Sequence, residues 1–261
     1  HILPAFVYRW LRESSGNSPL RMTTAPNQRI QDGVRRYWLC SDCEGLFSRS
    51  EDTFARKLFH PYLADPAKKR HYNKWLLHFC TSVSWRVLRL SIDENEFKDW
   101  SAEAITRINS AESTWREFLL GHRPHPGPFQ QHLLPVSQIT STNEKFVPNI
   151  NSYLMRAVAM DLCREGANIF TVSKLGRFII LGFIHEPNFN RWHGSKINAN
   201  EGVIGPRKFE VPRSLVEYLN EQASKLSVAM RSVSDRQQSK IDEGFQANID
   251  SFIESDAFTA M

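Results

Sequence analysis

The sequence predicts an α+β fold that is mostly helical, with an incomplete N-terminal zinc-knuckle treble clef and a C-terminal β-hairpin packed by helices. Three observations carry this expectation. A C-x-x-C pair, Cys40 and Cys43, stands between a short apolar run and a helical pattern. Apolar residues recur at helical spacing in several later stretches, as at Trp75, Leu76, Phe79, Val83, Val87 and Leu90. Around residues 167–185, two strand-like apolar runs flank a turn at Lys174-Leu-Gly176.

The elements follow in order. Pro4 suits the first turn of a helix, and Phe6, Val7, Trp10 and Leu11 continue it at helical spacing to about Ser14. Residues 14–19 form a turn-rich break. Leu20–Asp32 reads as a short strand and a loop, and Gly33 turns into a strand over Val34–Leu39. The knuckle follows, with a helix that places Phe47, Phe54 and Leu58 on one face and Glu44, Ser48 and Glu51 on another. Pro61 discourages its continuation. Helices are expected over residues 71–90 and 101–120, the second with Ser101 and Glu103 as N-terminal signals. Residues 128–150 read as extended and irregular. A helix is expected over Asn151–Arg164, stopped by Gly166. After the hairpin, residues 188–206 form a long loop, Phe209–Val211 adds a strand, and helices run over Arg213–Arg231 and from Ser234 to about Ile253. This divides the chain into a treble-clef region, residues 1–60, and a mainly helical domain, residues 61–261.

At 261 residues the chain is long enough for a sizeable core. Hydrophobic residues at 41% and charged residues at 23% argue against wholesale disorder. No apolar run approaches the roughly 20 residues that span a bilayer, so no membrane partner is expected. A net charge of +5, with clusters at Arg35-Arg36, Lys68-Lys69-Arg70 and Arg207-Lys208, permits a nucleic-acid partner without demanding one. Cys80 and Cys163 sit in apolar helical stretches, where buried reduced thiols are usual, and a cytoplasmic chain is expected. The opening at His1, with neither a methionine nor a signal peptide, is expected of a trimmed protein.

Zinc takes four soft or borderline ligands in a tetrahedron, and C-x-x-C lets one turn present two thiolates. One such pair is half a site; the alternative is two reduced cysteines at the start of a helix. A redox pair lacks the surrounding βαβ pattern.

His1-Ile-Leu-Pro4, followed by Leu39-Cys-Ser-Asp-Cys43 and a helix, resembles the HNH endonuclease family, over residues 1 to about 59. The resemblance implies a treble clef carrying a ββα-metal site, with a first cysteine pair upstream of His1. It implies that His1 is the general base acting on water and that Cys40 and Cys43 are structural zinc ligands. Glu44 stands where the family has Asn or His. As a carboxylate it is a candidate ligand for Mg²⁺ or Mn²⁺, with Glu51 two turns further on reaching the same site or merely solvating the helix. The expected function is a metal-dependent nuclease cleaving nucleic-acid phosphodiesters. The alternative is a non-catalytic zinc-binding module for nucleic-acid binding or complex assembly. Arg35, Arg36 and Lys196 are the candidate nucleic-acid contacts. DNA is the expected partner, along with a homo-oligomer or protein complex.

Other residues carry less. Arg116 and His122 are loosely similar to the Arg/His motif of HEPN ribonucleases. His60, His71 and His78 lie near the clef helix, either as replacement ligands or as surface and packing residues. The Trp192-His193-Gly194-Ser195-Lys196 segment either stacks a base and neutralises a phosphate or folds against the hairpin.

Overall fold

The computed structural model describes residues 1–15, 19–142, 144–247 and 249. The N-terminal helix forms as expected, as α1 (Ala5–Glu13) burying Val7 and Trp10. Leu20–Asp32 becomes a small antiparallel hairpin, β1 (Leu20–Met22) and β2 (Ala25–Ile30). No strand forms over Val34–Leu39. The segment pairs with neither strand of the hairpin, and a backbone bond from Ile2 N–H to the Val34 carbonyl, 3.0 Å, ties its start to the beginning of the chain. The knuckle helix is α2 (Ser41–Phe54), and it does not stop before Pro61. A π-helical turn over Ala55–Phe59 leads into α3 (His60–Ala64), where Pro61 falls in the first turn and its missing N–H costs nothing.

Strand β3 (Arg70–Asn73) precedes α4 (Lys74–Asp93), whose first turn is capped by the Asn73 side chain accepting the Trp75 N–H. In the same way Ser101 caps α5 (Ala102–Leu119) by accepting the Ala104 N–H. Within residues 128–150, expected to be irregular, lies a fully buried strand, β4 (Gln131–Pro135). The helix expected over residues 151–164 is overturned in its second half: α6 (Ile150–Arg156) is short and β5 (Val158–Glu165) follows it. Every residue of β5 pairs with β6 (Asn168–Leu175) across a turn at Gly166. Gly166 has a φ of +58°, which serves a tight hairpin turn as well as the helix stop it resembles in sequence.

The expected hairpin is present as β6 and β7 (Phe178–His185), but as the centre of a four-stranded antiparallel sheet ordered β4-β7-β6-β5. Downstream, β8 (Glu201–Ile204) pairs with β3. Phe209–Val211 forms no strand, only a single bridge from Glu210 to His193. The chain continues with α7 (Arg213–Arg231) and α8 (Asp235–Ala247); the part of the last expected helix beyond residue 249 lies outside the described residues. No helix among the described residues is long and apolar enough to cross a membrane.

The sheet is covered on both faces. Along β7, Phe178 and Ile180 face the α4 side, while Ile179, Leu181 and Phe183 face α6 and α7. This period-two split makes the strand read as one continuous apolar run. Helix α4 rides close to the sheet because β7 carries Gly182 there; a Cβ at that position would meet Ser84 Oγ at 2.5 Å. The α4-side core runs across residue 60: Ile2, Val7, Phe54 and Phe59 belong to the same cluster as Leu76, Phe79 and Phe178. Phe54 and Phe79 stack at 4.0 Å between ring centroids.

Two buried polar groups are anchored in this sheet. Lys174 Nζ donates to the Leu154 carbonyl at 2.7 Å and to the Gly176 carbonyl, and burial lowers its pKa. His132 on β4 places Nδ1 2.8 Å from Ser195 Oγ. Burial, and then the Lys196 charge, lower its pKa to about 3. An unfolded histidine titrates near 6.5, so the unfolded chain takes up this proton while the folded chain does not. Stability is therefore complete above about pH 6.5 and falls as the pH drops toward 3, by up to about 1.4 kcal/mol per pH unit from this group. Urea midpoints measured from about pH 7 down to pH 4 should decrease, and His132→Gln should flatten that slope. An unchanged slope in the variant would remove His132 as its source.

Candidate functional site

His1 lies where the start of the chain, the end of β2 and helix α2 meet. Its ring Nε2 is 2.7 Å from Asp32 Oδ2 and 3.0 Å from Arg35 Nε. Arg35 also donates to Asp32 Oδ2, and the other Asp32 oxygen accepts the Gly33 N–H at 2.9 Å. The backbone of His1 is held by a different residue: Arg86 Nη1 donates to its carbonyl at 3.0 Å.

Arg86 comes from the buried helix α4 and is 5% exposed. Its Nη1 pairs with Glu51 Oε1 at 2.7 Å, its Nε donates to the Ser82 carbonyl at 3.1 Å, and the guanidinium sits 5.6 Å over the Phe47 ring. A charge this deeply buried is tolerated only with such partners. Glu51, expected either to reach a metal site or to solvate the helix face, has Arg86 as its ion-pair partner. Glu44 is exposed in the first turn of α2 and is left with its carboxylate outward, where the helix dipole favours it.

Cys40 precedes α2 and Cys43 lies in its first turn. The Cys40 side chain makes no capping hydrogen bond of regular geometry. The N–H groups of Cys43 and Asp42 nevertheless face its sulfur, and with the Cys43 thiol they draw the Cys40 pKa below the ordinary thiol value. The Cys43 pKa is pushed up, first by its hydrogen bond to Cys40. The two thiols are hydrogen-bonded to each other, and a metal would take both as thiolates with release of their protons. The pair supplies half of a tetrahedral zinc set. Among the described residues no group of three or more His, Cys, Asp or Glu side chains is gathered to hold a metal ion.

The remaining candidates are dispersed. Arg35 and Arg36 are exposed beside the fully exposed Tyr37, and Arg36 pairs with Glu94 at 2.6 Å. Lys196 is exposed on the long loop, whose Trp192 is buried with its Nε1 donating to Glu186 at 2.7 Å. His60, His71, His122 and His125 are exposed. His78 is packed between Phe47 and Phe118, and burial lowers its pKa. Arg116 lies 3.6 Å from Glu112.

Sequence reasoning missed Asp32 and Arg86. Asp32-Gly33 reads as an ordinary turn, and Arg86 hides in an apolar helical pattern; a lone arginine on an otherwise buried face was the available signal. Comparison of the chain with protein-family models, with curated proteins and with solved structures finds no match.

Two outcomes follow from this geometry. Arg86→Ala leaves Glu51 without its buried partner and should cost about 3–5 kcal/mol in urea unfolding, well beyond a surface ion pair. Iodoacetamide near neutral pH should modify Cys40 first and leave the buried Cys80, whose pKa burial raises, unmodified until the chain unfolds. Mass spectrometry of peptides reads the order, and early labelling of Cys80 would contradict it.

Proposed function

We infer that the protein is a metal-dependent, HNH-like nuclease acting on nucleic-acid phosphodiesters, DNA foremost, with His1 as the general base. The observation that supports this most is the His1 imidazole held against Asp32 at 2.7 Å, with its backbone fixed by Arg86 beside the helix that carries Cys40, Cys43 and Glu44. A carboxylate on one ring nitrogen orients an imidazole and leaves the other nitrogen to accept a proton from water. Cys40 and Cys43 would hold a structural Zn²⁺ with a second ligand pair not found among the described residues, in the treble-clef arrangement. Glu44 is the free carboxylate through which Mg²⁺ or Mn²⁺ would bind; such ions often use one or two carboxylates together with substrate phosphates. The bound cation would supply Lewis-acid stabilisation of developing phosphate charge. Arg35, Arg36 and Lys196 are exposed cations suited to the nucleic-acid backbone.

A second reading is supported by the Arg86–Glu51 ion pair, which gives one of the two proposed carboxylates a structural partner. In it, the same zinc-bound region binds nucleic acid or assembles a complex without cleaving anything.

Metal analysis of the native protein and a DNA-cleavage assay with Mg²⁺ and Mn²⁺ separate the two. The nuclease reading expects about one zinc per chain, and a loss of cleavage of about 10²–10⁴-fold on His1→Ala. It also expects a clear loss on Glu44→Ala, with Glu44→Asn retaining more. Zinc with DNA binding but no cleavage selects the second reading. Absence of zinc sinks both.

A further inference from the structure

A surface cavity of about 130 Å³ lies where the first turn of α5 meets the ends of β5 and β7. Ser101, Glu103 and Arg107 line it from the helix, Arg164 from the end of β5, Gly166 from the hairpin turn, and His185 from the end of β7. None of these residues belongs to the His1 cluster.

The lining is built for negative charge. Arg107 pairs with Glu103 at 2.6 Å, so that guanidinium is already balanced. Arg164 is not: its guanidinium sits 5.3 Å over the Trp100 ring, and among the described residues no carboxylate pairs with it. His185 lines the same cavity. Burial, followed by the Arg107 charge, lowers its pKa, with Glu103 and Glu186 opposing. Ser101 Oγ accepts the Ala104 N–H, which leaves the Ala102 and Glu103 N–H groups at the positive end of an 18-residue helix. Gly166 has nothing within 4 Å of where a Cβ would stand, which keeps that side of the cavity clear.

We propose that this cavity binds a phosphate monoester, either on a small molecule or at the terminus of an oligonucleotide. A planar carboxylate is satisfied by one guanidinium fork. A tetrahedral dianion presents acceptor oxygens in several directions, and here the Arg164 guanidinium, the Arg107 guanidinium that Glu103 shares, an imidazole and first-turn N–H groups approach from the helix and from the strand ends. Stacking on Trp100 pre-orders Arg164, which lowers the entropy spent on binding. Glu103 is the opposing charge. The site does not depend on the nuclease reading.

The test is calorimetric titration of the intact chain with inorganic phosphate, in metal-free buffer so that no cleavage intervenes. Saturable one-site binding at millimolar phosphate or below is expected. Arg164→Gln and Arg107→Gln should each weaken it about tenfold, the loss of one charge-assisted hydrogen bond, and Glu103→Gln should strengthen it. Amide shift mapping on the unmutated chain is the second measurement, with perturbations expected at Gly166, Ala167 and the first turn of α5. Oligonucleotides with and without a 5′-phosphate then identify the source. Preference for the phosphorylated end, competed by inorganic phosphate, assigns a nucleic-acid terminus; no preference, with phosphate binding intact, assigns a small phosphate ester. Absence of saturable binding overturns the proposal, as does unchanged affinity in folded Arg164→Gln or a shift pattern elsewhere.

Discussion

Arg86 is a cation buried in the middle of the molecule, and three separate parts of the chain are arranged around its need for partners. It takes the Glu51 carboxylate from α2, the His1 carbonyl from the start of the chain, and the Ser82 carbonyl from its own helix. Helix α4 has little freedom to move, since its residues pack against the sheet on one side and against α2 and α5 on others. Through Arg86 that rigidity passes to His1 and to the orientation of α2. The candidate site at the N-terminal end is thus positioned by a helix from the far side of residue 60.

The sheet beneath α4 carries the same logic. Strands β6 and β7 are buried on both faces and paired along the ladder; β7 is almost wholly apolar, whereas β6 also buries Asn168, Thr171, Ser173 and Lys174. Among the described residues, Thr171 Oγ1 and Ser173 Oγ are buried without a hydrogen-bond partner, whereas two ionisable groups of the sheet have one. Lys174 finds two backbone carbonyls, and His132 finds Ser195 while losing its charge to burial. Gly182 permits the close approach of α4 that brings Ser84 within 2.8 Å of the Gln131 side chain.

Around α2, burial sorts chemically similar residues into different roles. Glu51 and Glu44 share a helical face, yet one is locked to a buried guanidinium and the other stands in solvent. Cys40 is exposed and Cys43 half-buried beside it, whereas Cys80 is sealed in the core and Cys163 lies on a strand facing α7. Only the accessible members of each set are free to meet a metal or a substrate.

The sequence by itself determined the amphipathic helices α1, α4, α5 and α7, the β6–β7 turn region and the spacing of Cys40 and Cys43. Each of these is written in a local period or a local cap, which acts within a few residues. Tertiary structure decided the rest. Residues 158–165 carry a pattern compatible with helix or strand, and pairing with β6 made them β5. Val34–Leu39 has strand-like composition, but it pairs with none of the sheets. That Glu51 meets Arg86, 35 residues away in the chain, was decided by packing. Local spacing fixes which side chains share a face; only packing brings distant residues to that face, and the partner found there sets the chemistry.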